Sequence, residues 1–161
     1  MIIDGGLAEL IKKGGVYRNI QGRSPREVLG ALIGALTPVP SVPAEKLLGA
    51  VLEREDLMST GIGGGIAIPH PRNPLTGPDS GQFVALAFPE RPVDWNSLDG
   101  GKVDTILLIV SSSAKQHLKI LSEISFFCRQ EEFCRLLKAC SVGGVPDDLL
   151  RFITEAEKNW N

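Results

Sequence analysis

The stretch Val103-Asp104-Thr105-Ile106-Leu107-Leu108-Ile109-Val110 is almost unbroken apolar sequence, and Ser111-Ser112-Ser113 follows it directly. A half-exposed strand alternates apolar and polar residues. A near-continuous run suits a strand buried on both faces, in a sheet covered by helices. Gln82 to Phe88 has the same character. The serines after Val110 offer N-caps, since a serine hydroxyl accepts from the free N–H groups of a first helical turn. A helix is therefore expected from Ala114 to about Arg129, with Leu118, Leu121, Ile124, Ser125 and Cys128 facing inward.

Upstream, Leu7 to Lys13 reads as a short helix closed by Gly14-Gly15. Val16 to Ile20 alternates like a strand, with Val16, Arg18 and Ile20 on one face. Ser24-Pro25-Arg26-Glu27 is a helix start, with serine as N-cap, proline at the first helical position and glutamate three residues after the serine. That helix runs to about Leu36, carrying Val28, Leu29, Leu32, Ile33 and Leu36 inward. The prolines of residues 37–43 stop it. Ala44 to Asp56 is a second helix, with Leu47, Leu48, Val51 and Leu52 inward. A glycine loop, a short strand Ile66 to Pro69 and a surface loop Asn73 to Gly81 come next. Val93 to Trp95 reads as a further short strand, and helices are expected over Glu131 to Ala139 and Pro146 to Lys158. Strands interleaved with helices define an α/β fold: a mixed sheet with helices on both faces, in three layers.

The 161 residues fit one domain, expected over 1–161. Hydrophobic residues make up 43% and charged residues 22%, with a formal net charge of -2, which argues against a nucleic-acid footprint. No run approaches the ~20 apolar residues of a membrane span. The N-terminal residues lack the basic and apolar regions of a signal peptide, so a cytoplasmic location is expected. Cys128, Cys134 and Cys140 are odd in number and evenly spaced, fit no metal motif, and read as packing residues on the last helices.

The chemistry centres on Ser59-Thr60-Gly61-Ile62-Gly63-Gly64-Gly65-Ile66-Ala67-Ile68-Pro69-His70-Pro71-Arg72. His70 is one of only two histidines. It stands where a strand leaves a glycine loop, between two prolines that stiffen its backbone. Nucleophile, ligand, base and a histidine satisfied by hydrogen bonds are all open on these residues alone. Glycines would let backbone N–H groups approach a bound group. His117 lies in the first turns of the helix after Val110. In α/β sheets such helix starts share an edge with the other strand ends, so the two histidines can meet. A helix start also favours anions and disfavours an imidazolium. Arg54, just before the glycine loop, could clamp a phosphate or simply be solvated. No Gly-Lys-Ser/Thr follows the glycines, no HExxH occurs and no Gly-x-Ser-x-Gly occurs, which disfavours a nucleotide site, zinc and a serine hydrolase. No cofactor or metal is expected.

Leu52-Glu53-Arg54-Glu55, Ser59-Thr60-Gly61-Ile62-Gly63 and Gly65-Ile66-Ala67-Ile68-Pro69-His70 together resemble the signature of EIIA domains of the bacterial sugar phosphotransferase system, fructose/mannitol/nitrogen class. Val93-Asp94-Trp95, Ser97-Leu98-Asp99-Gly100, Val103 to Leu108 and His117-Leu118-Lys119-Ile120-Leu121 continue the likeness, which spans about Leu7 to Phe152. The resemblance implies a phosphocarrier. His70 would take a phosphoryl group from the phosphohistidine of the carrier protein HPr and pass it to a cysteine or histidine of an EIIB partner. His117 would assist and Arg54 would steady the phosphate charge. The nitrogen branch implies instead a regulatory protein whose phosphorylation state gates a partner. Gly64 stands where the family often has Asn or His, Pro71 where it commonly has Gly, and the loop from Asn73 to Gly81 is longer than usual. These differences bear on partner and sugar choice.

Overall fold

The computed structural model describes residues 6–37, 42–75 and 81–159. The middle of the proline-rich connector and residues 76–80 of the long loop lie outside the described residues. In chain order the elements are α1 (Gly6–Gly14), β1 (Val16–Ile20), α2 (Pro25–Ala35), α3 (Ala44–Leu57), β2 (Gly61–Gly63), β3 (Ile66–Ala67), β4 (Phe83–Pro89), β5 (Thr105–Val110), α4 (Ala114–Cys128), α5 (Glu131–Ser141) and α6 (Asp147–Glu157). The sheet runs β1-β4-β5-β3-β2. Its centre, β4 against β5, is antiparallel. β1 joins β4 in parallel, β3 joins β5 in parallel, and β2 folds back on β3 as an antiparallel hairpin.

The two central strands are buried on both faces, as their composition requires. Successive side chains of a strand point to opposite faces, so each strand feeds two cores. Val84, Leu86, Phe88, Leu107 and Ile109 pack with α1, α4, α5 and α6. Ala85, Ala87, Ile106, Leu108 and Val110 pack with α2 and α3. Helices on both faces of a mixed sheet give the expected three layers. At α2, Ser24 accepts from the Glu27 N–H at 3.2 Å, and Glu27 reaches back to the Arg23 N–H at 3.0 Å, so the proposed helix start is a working cap.

Several local expectations need correction. β1 does not keep one face: Val16 packs on the α1 side, whereas Ile20 packs on the α2 side. Asn19 has φ 54°, and the pairing to β4 shifts between Tyr17 and Ile20, so a bulge turns the strand over. In α4 the inward residues are Ile120, Glu123, Ile124 and Phe127, while Leu118 is 64% exposed and Ser125 faces out. Of the expected stripe, Ile124 is buried and Leu121 and Cys128 pack partly against the core; only Leu118 and Ser125 fall outside the inward face. Val93 makes only a bridge with Val103, not a strand through Trp95. Cys140 is buried and Cys128 partly so, but Cys134 is exposed and does not pack. Among the described residues, no helix is long and apolar enough to cross a membrane.

Candidate functional site

β3 ends at Ala67, yet the chain beyond it stays along β5: the Ile109 N–H donates to the Pro69 carbonyl at 3.0 Å. Because β3 and β5 are parallel, His70 emerges beside the C-terminal end of β5. From that same end Ser111-Ser112-Ser113 leads into α4, where the Ser113 hydroxyl caps the Gln116 N–H at 3.1 Å. His117 is the fourth residue of α4, and helical side chains lean toward the N-terminus. The outcome is a contact: the rings of His70 and His117 lie 4.6 Å apart between centroids, tilted by 47°.

His70 is buried, and its Nδ1 lies 2.7 Å from the Ile68 carbonyl. A ring nitrogen facing a carbonyl carries the proton, so the hydrogen bond assigns the neutral ring with Nδ1–H and a lone pair on Nε2. Burial lowers the pKa of His70; the bond to Ile68 raises it, the Arg54 charge lowers it and the Glu55 charge raises it, with lowering prevailing. His117 is pushed down to about 4, first by burial, then by His70 and by Arg54. Both rings are thus neutral near pH 7. Burial, rather than the helix start invoked from sequence, is the largest cause.

Arg54 lies on the last turn of α3, half-buried, and donates from Nη1 to the Met58 carbonyl at 2.7 Å. That bond uses one of the five N–H donors of a guanidinium. Its charge reaches both histidines. The structure therefore gathers His70 and His117 in direct contact, with Arg54 within electrostatic range.

The glycines do something other than cradle a ligand. Gly63, Gly64 and Gly65 have φ of 94°, 65° and 81° and turn the β2–β3 hairpin at the end of β3 away from His70. The Gly64 N–H is spent on Asp99 Oδ2 at 3.0 Å. Only Gly61 is near the working end. A Cβ there would meet Ser97 Oγ at 2.2 Å, so glycine is what lets the Ser97 loop lie against the strand.

Three residues with polar contacts at this edge were not singled out from sequence. Glu55 accepts from the Thr60 N–H at 2.7 Å and the Thr60 hydroxyl at 2.6 Å. Gln82, buried just before β4, accepts from the Ser112 N–H at 3.3 Å and hydroxyl at 3.1 Å, bracing the entry to α4. Glu55 and Thr60 lie inside the quoted motifs, so their position was visible; their bonds depend on tertiary contact and were not. A groove of about 660 Å³ between Ser24, Asp56, Met58 and Asp94 adjoins this region, but neither histidine lines it. Among the described residues, no group of three or more His, Cys, Asp and Glu side chains is placed to hold a metal ion.

The structure is a mixed α/β sheet with two neutral histidines in contact at one edge. Residues 9–156 match the family described as phosphoenolpyruvate-dependent sugar phosphotransferase system, EIIA 2, and the chain belongs to that family. Members of that family are phosphotransferase components. A nitrogen regulatory protein of Pseudomonas aeruginosa is 34% identical over 122 residues, 74% of this chain and 77% of that protein. The fructose-specific EIIABC component of Bacillus subtilis is 30% identical over 145 residues, 88% of this chain and 22% of that protein. Among solved structures, the nitrogen regulatory protein IIA-Ntr of Neisseria meningitidis superposes with a TM-score of 0.73 at 21% identity, over 91% of this chain and 97% of that one.

Proposed function

We propose that this chain accepts a phosphoryl group on Nε2 of His70 from phosphorylated HPr and hands it to an EIIB partner. The observation that carries this reading is the bond from Nδ1 to the Ile68 carbonyl. It leaves the unprotonated nitrogen of a neutral, buried imidazole as the nucleophile. The Nε2 lone pair forms the new N–P bond as the N–P bond of the donor phosphohistidine breaks, and that electron pair returns to the donor ring. No proton has to leave His70 during the attack: Nδ1–H stays bonded to the Ile68 carbonyl, and the positive charge the ring gains as Nε2 bonds phosphorus is balanced by the negative phosphoryl oxygens it carries. Phosphoryl transfer asks mainly for alignment and charge stabilisation. Arg54 supplies positive charge, and His117, in ring contact with His70, offers an N–H to a phosphoryl oxygen.

A second reading shares this chemistry and differs in the recipient. The relative named nitrogen regulatory protein favours a regulated partner protein in place of EIIB, while the relative named EIIABC favours transport. Incubation with phosphoenolpyruvate, enzyme I and HPr tests the shared step. The wild type is expected to gain an acid-labile phosphoryl group and His70→Ala to gain none; labelling of His70→Ala at the wild-type level overturns the assignment. His117→Ala is expected still to accept phosphate but to pass it to EIIB more slowly. Transfer at the wild-type rate would remove the assisting role.

A further inference from the structure

β2 and β3 form an antiparallel hairpin in which Gly61 opposes Ala67, so Thr60 and Ile68 are the next facing pair. Facing residues in a hydrogen-bonded antiparallel pair exchange two bonds. Here only one is made: the Ile68 N–H donates to the Thr60 carbonyl at 3.0 Å. The other donor, the Thr60 N–H, turns to Glu55 Oε2 at 2.7 Å. The Ile68 carbonyl receives Nδ1–H of His70 instead, at 2.7 Å.

We propose that Glu55 and Thr60 are positioning residues: by drawing the Thr60 N–H out of the ladder, Glu55 reserves the Ile68 carbonyl for His70 and so sets the tautomer and aim of its ring. The proposal rests on the reading of His70 as phosphoryl acceptor. Thr60 is only 3% exposed, and its hydroxyl donates to Glu55 Oε1 at 2.6 Å while accepting from the Trp95 indole N–H at 3.4 Å. The carboxylate thus grips Thr60 by two donors, and Trp95 holds the same oxygen from the other side. The Ser59 hydroxyl, bonded to the Trp95 carbonyl, ties down the preceding residue. Which nitrogen of a histidine is free is set by the bond the other one makes. Without Glu55, the Thr60 N–H is free to close the ladder and compete for the Ile68 oxygen.

The test reads the His70 tautomer by ¹⁵N chemical shifts in the unphosphorylated protein, together with the rate of phosphoryl acceptance from phospho-HPr. Wild type is expected to be predominantly Nδ1–H. Glu55→Ala is expected to shift population toward Nε2–H and to slow acceptance by about tenfold or more, the scale of a small misalignment. Glu55→Gln keeps one acceptor and the packing, and is expected to shift both readouts the same way by less. It serves if the alanine variant does not fold. Thr60→Ser keeps both donors and is expected to behave as wild type. A purely structural role would lower the melting temperature of the Glu55 variants and leave the tautomer alone. A wild-type tautomer in folded Glu55→Ala or Glu55→Gln overturns the proposal, whereas labelling of His70→Ala overturns only the acceptor reading on which it rests.

Discussion

His117 is held well below the ordinary histidine pKa. Its ring is held near pKa 4 because burial removes the water that would solvate an imidazolium, and because in the acid range where it titrates a protonated His70, together with Arg54, opposes a second positive charge nearby. Near neutral pH it therefore carries one proton and can either donate or accept, depending on tautomer. A phosphoryl dianion on His70 would reverse the electrostatics, since an opposite charge favours the protonated ring. A histidine titration followed by NMR is expected to give a His117 midpoint close to 4. In Arg54→Gln the midpoints of both histidines are expected to rise, because Arg54 lowers each of them. A His117 midpoint near the ordinary 6.5 would mean that the two rings do not pack as described.

At the scale of elements, the β2–β3 hairpin decides where the site stands. It is short, rich in glycine and dependent on close approach at Gly61. An added Cβ there would collide with Ser97 Oγ at 2.2 Å and press on Ser97 Cβ at 3.0 Å. Overpacking of this kind costs about 1–3 kcal/mol. Gly61→Ala is expected to lose stability within that range in urea unfolding, and the double variant Gly61→Ala, Ser97→Gly to recover part of the loss. Simple additivity of the two single changes would show that the contact is not the cause. The hairpin also shows what sequence alone could convey. The central strands, the cap at Ser24 and the meeting of His70 with His117 were legible, because apolar runs and helix caps are local signals and parallel strand ends share an edge. β2 was not legible, since Gly61-Ile62-Gly63 has neither alternation nor β-branched content beyond Ile62, and the glycines read as a loop. The bulge at Asn19 and the Glu55 grip on Thr60 arise from tertiary contacts that no spacing encodes.

The whole molecule carries the cost of burying two histidines. Each has a folded pKa below its ordinary value, His117 at about 4 and His70 lowered by burial. Below pH 6.5 the unfolded chain binds protons that the folded chain refuses, so stability rises with pH across this window and falls as the solution is acidified from about 6.5 toward 4. Below about 4 both states hold the His117 proton and its contribution to the slope ends. Carboxylates act at lower pH. Asp99 is lowered by the N–H groups of Gly101 and Gly64, and Glu132 by its bond to Arg135. Their stabilisation is present above the ordinary carboxylate range and fades as pH drops through it. The histidine loss therefore comes first. One proton held by the unfolded chain but not by the folded one gives a slope of up to about 1.4 kcal/mol per pH unit. Urea unfolding of the wild type is expected to show stability declining between pH 6.5 and 4, and His117→Gln, which cannot take up a proton, to flatten that decline. The flattening belongs to the histidine only if the two proteins still lose stability in parallel below pH 4, where the carboxylates dominate. An equal slope in both proteins between pH 6.5 and 4 would assign the acid sensitivity to groups other than His117.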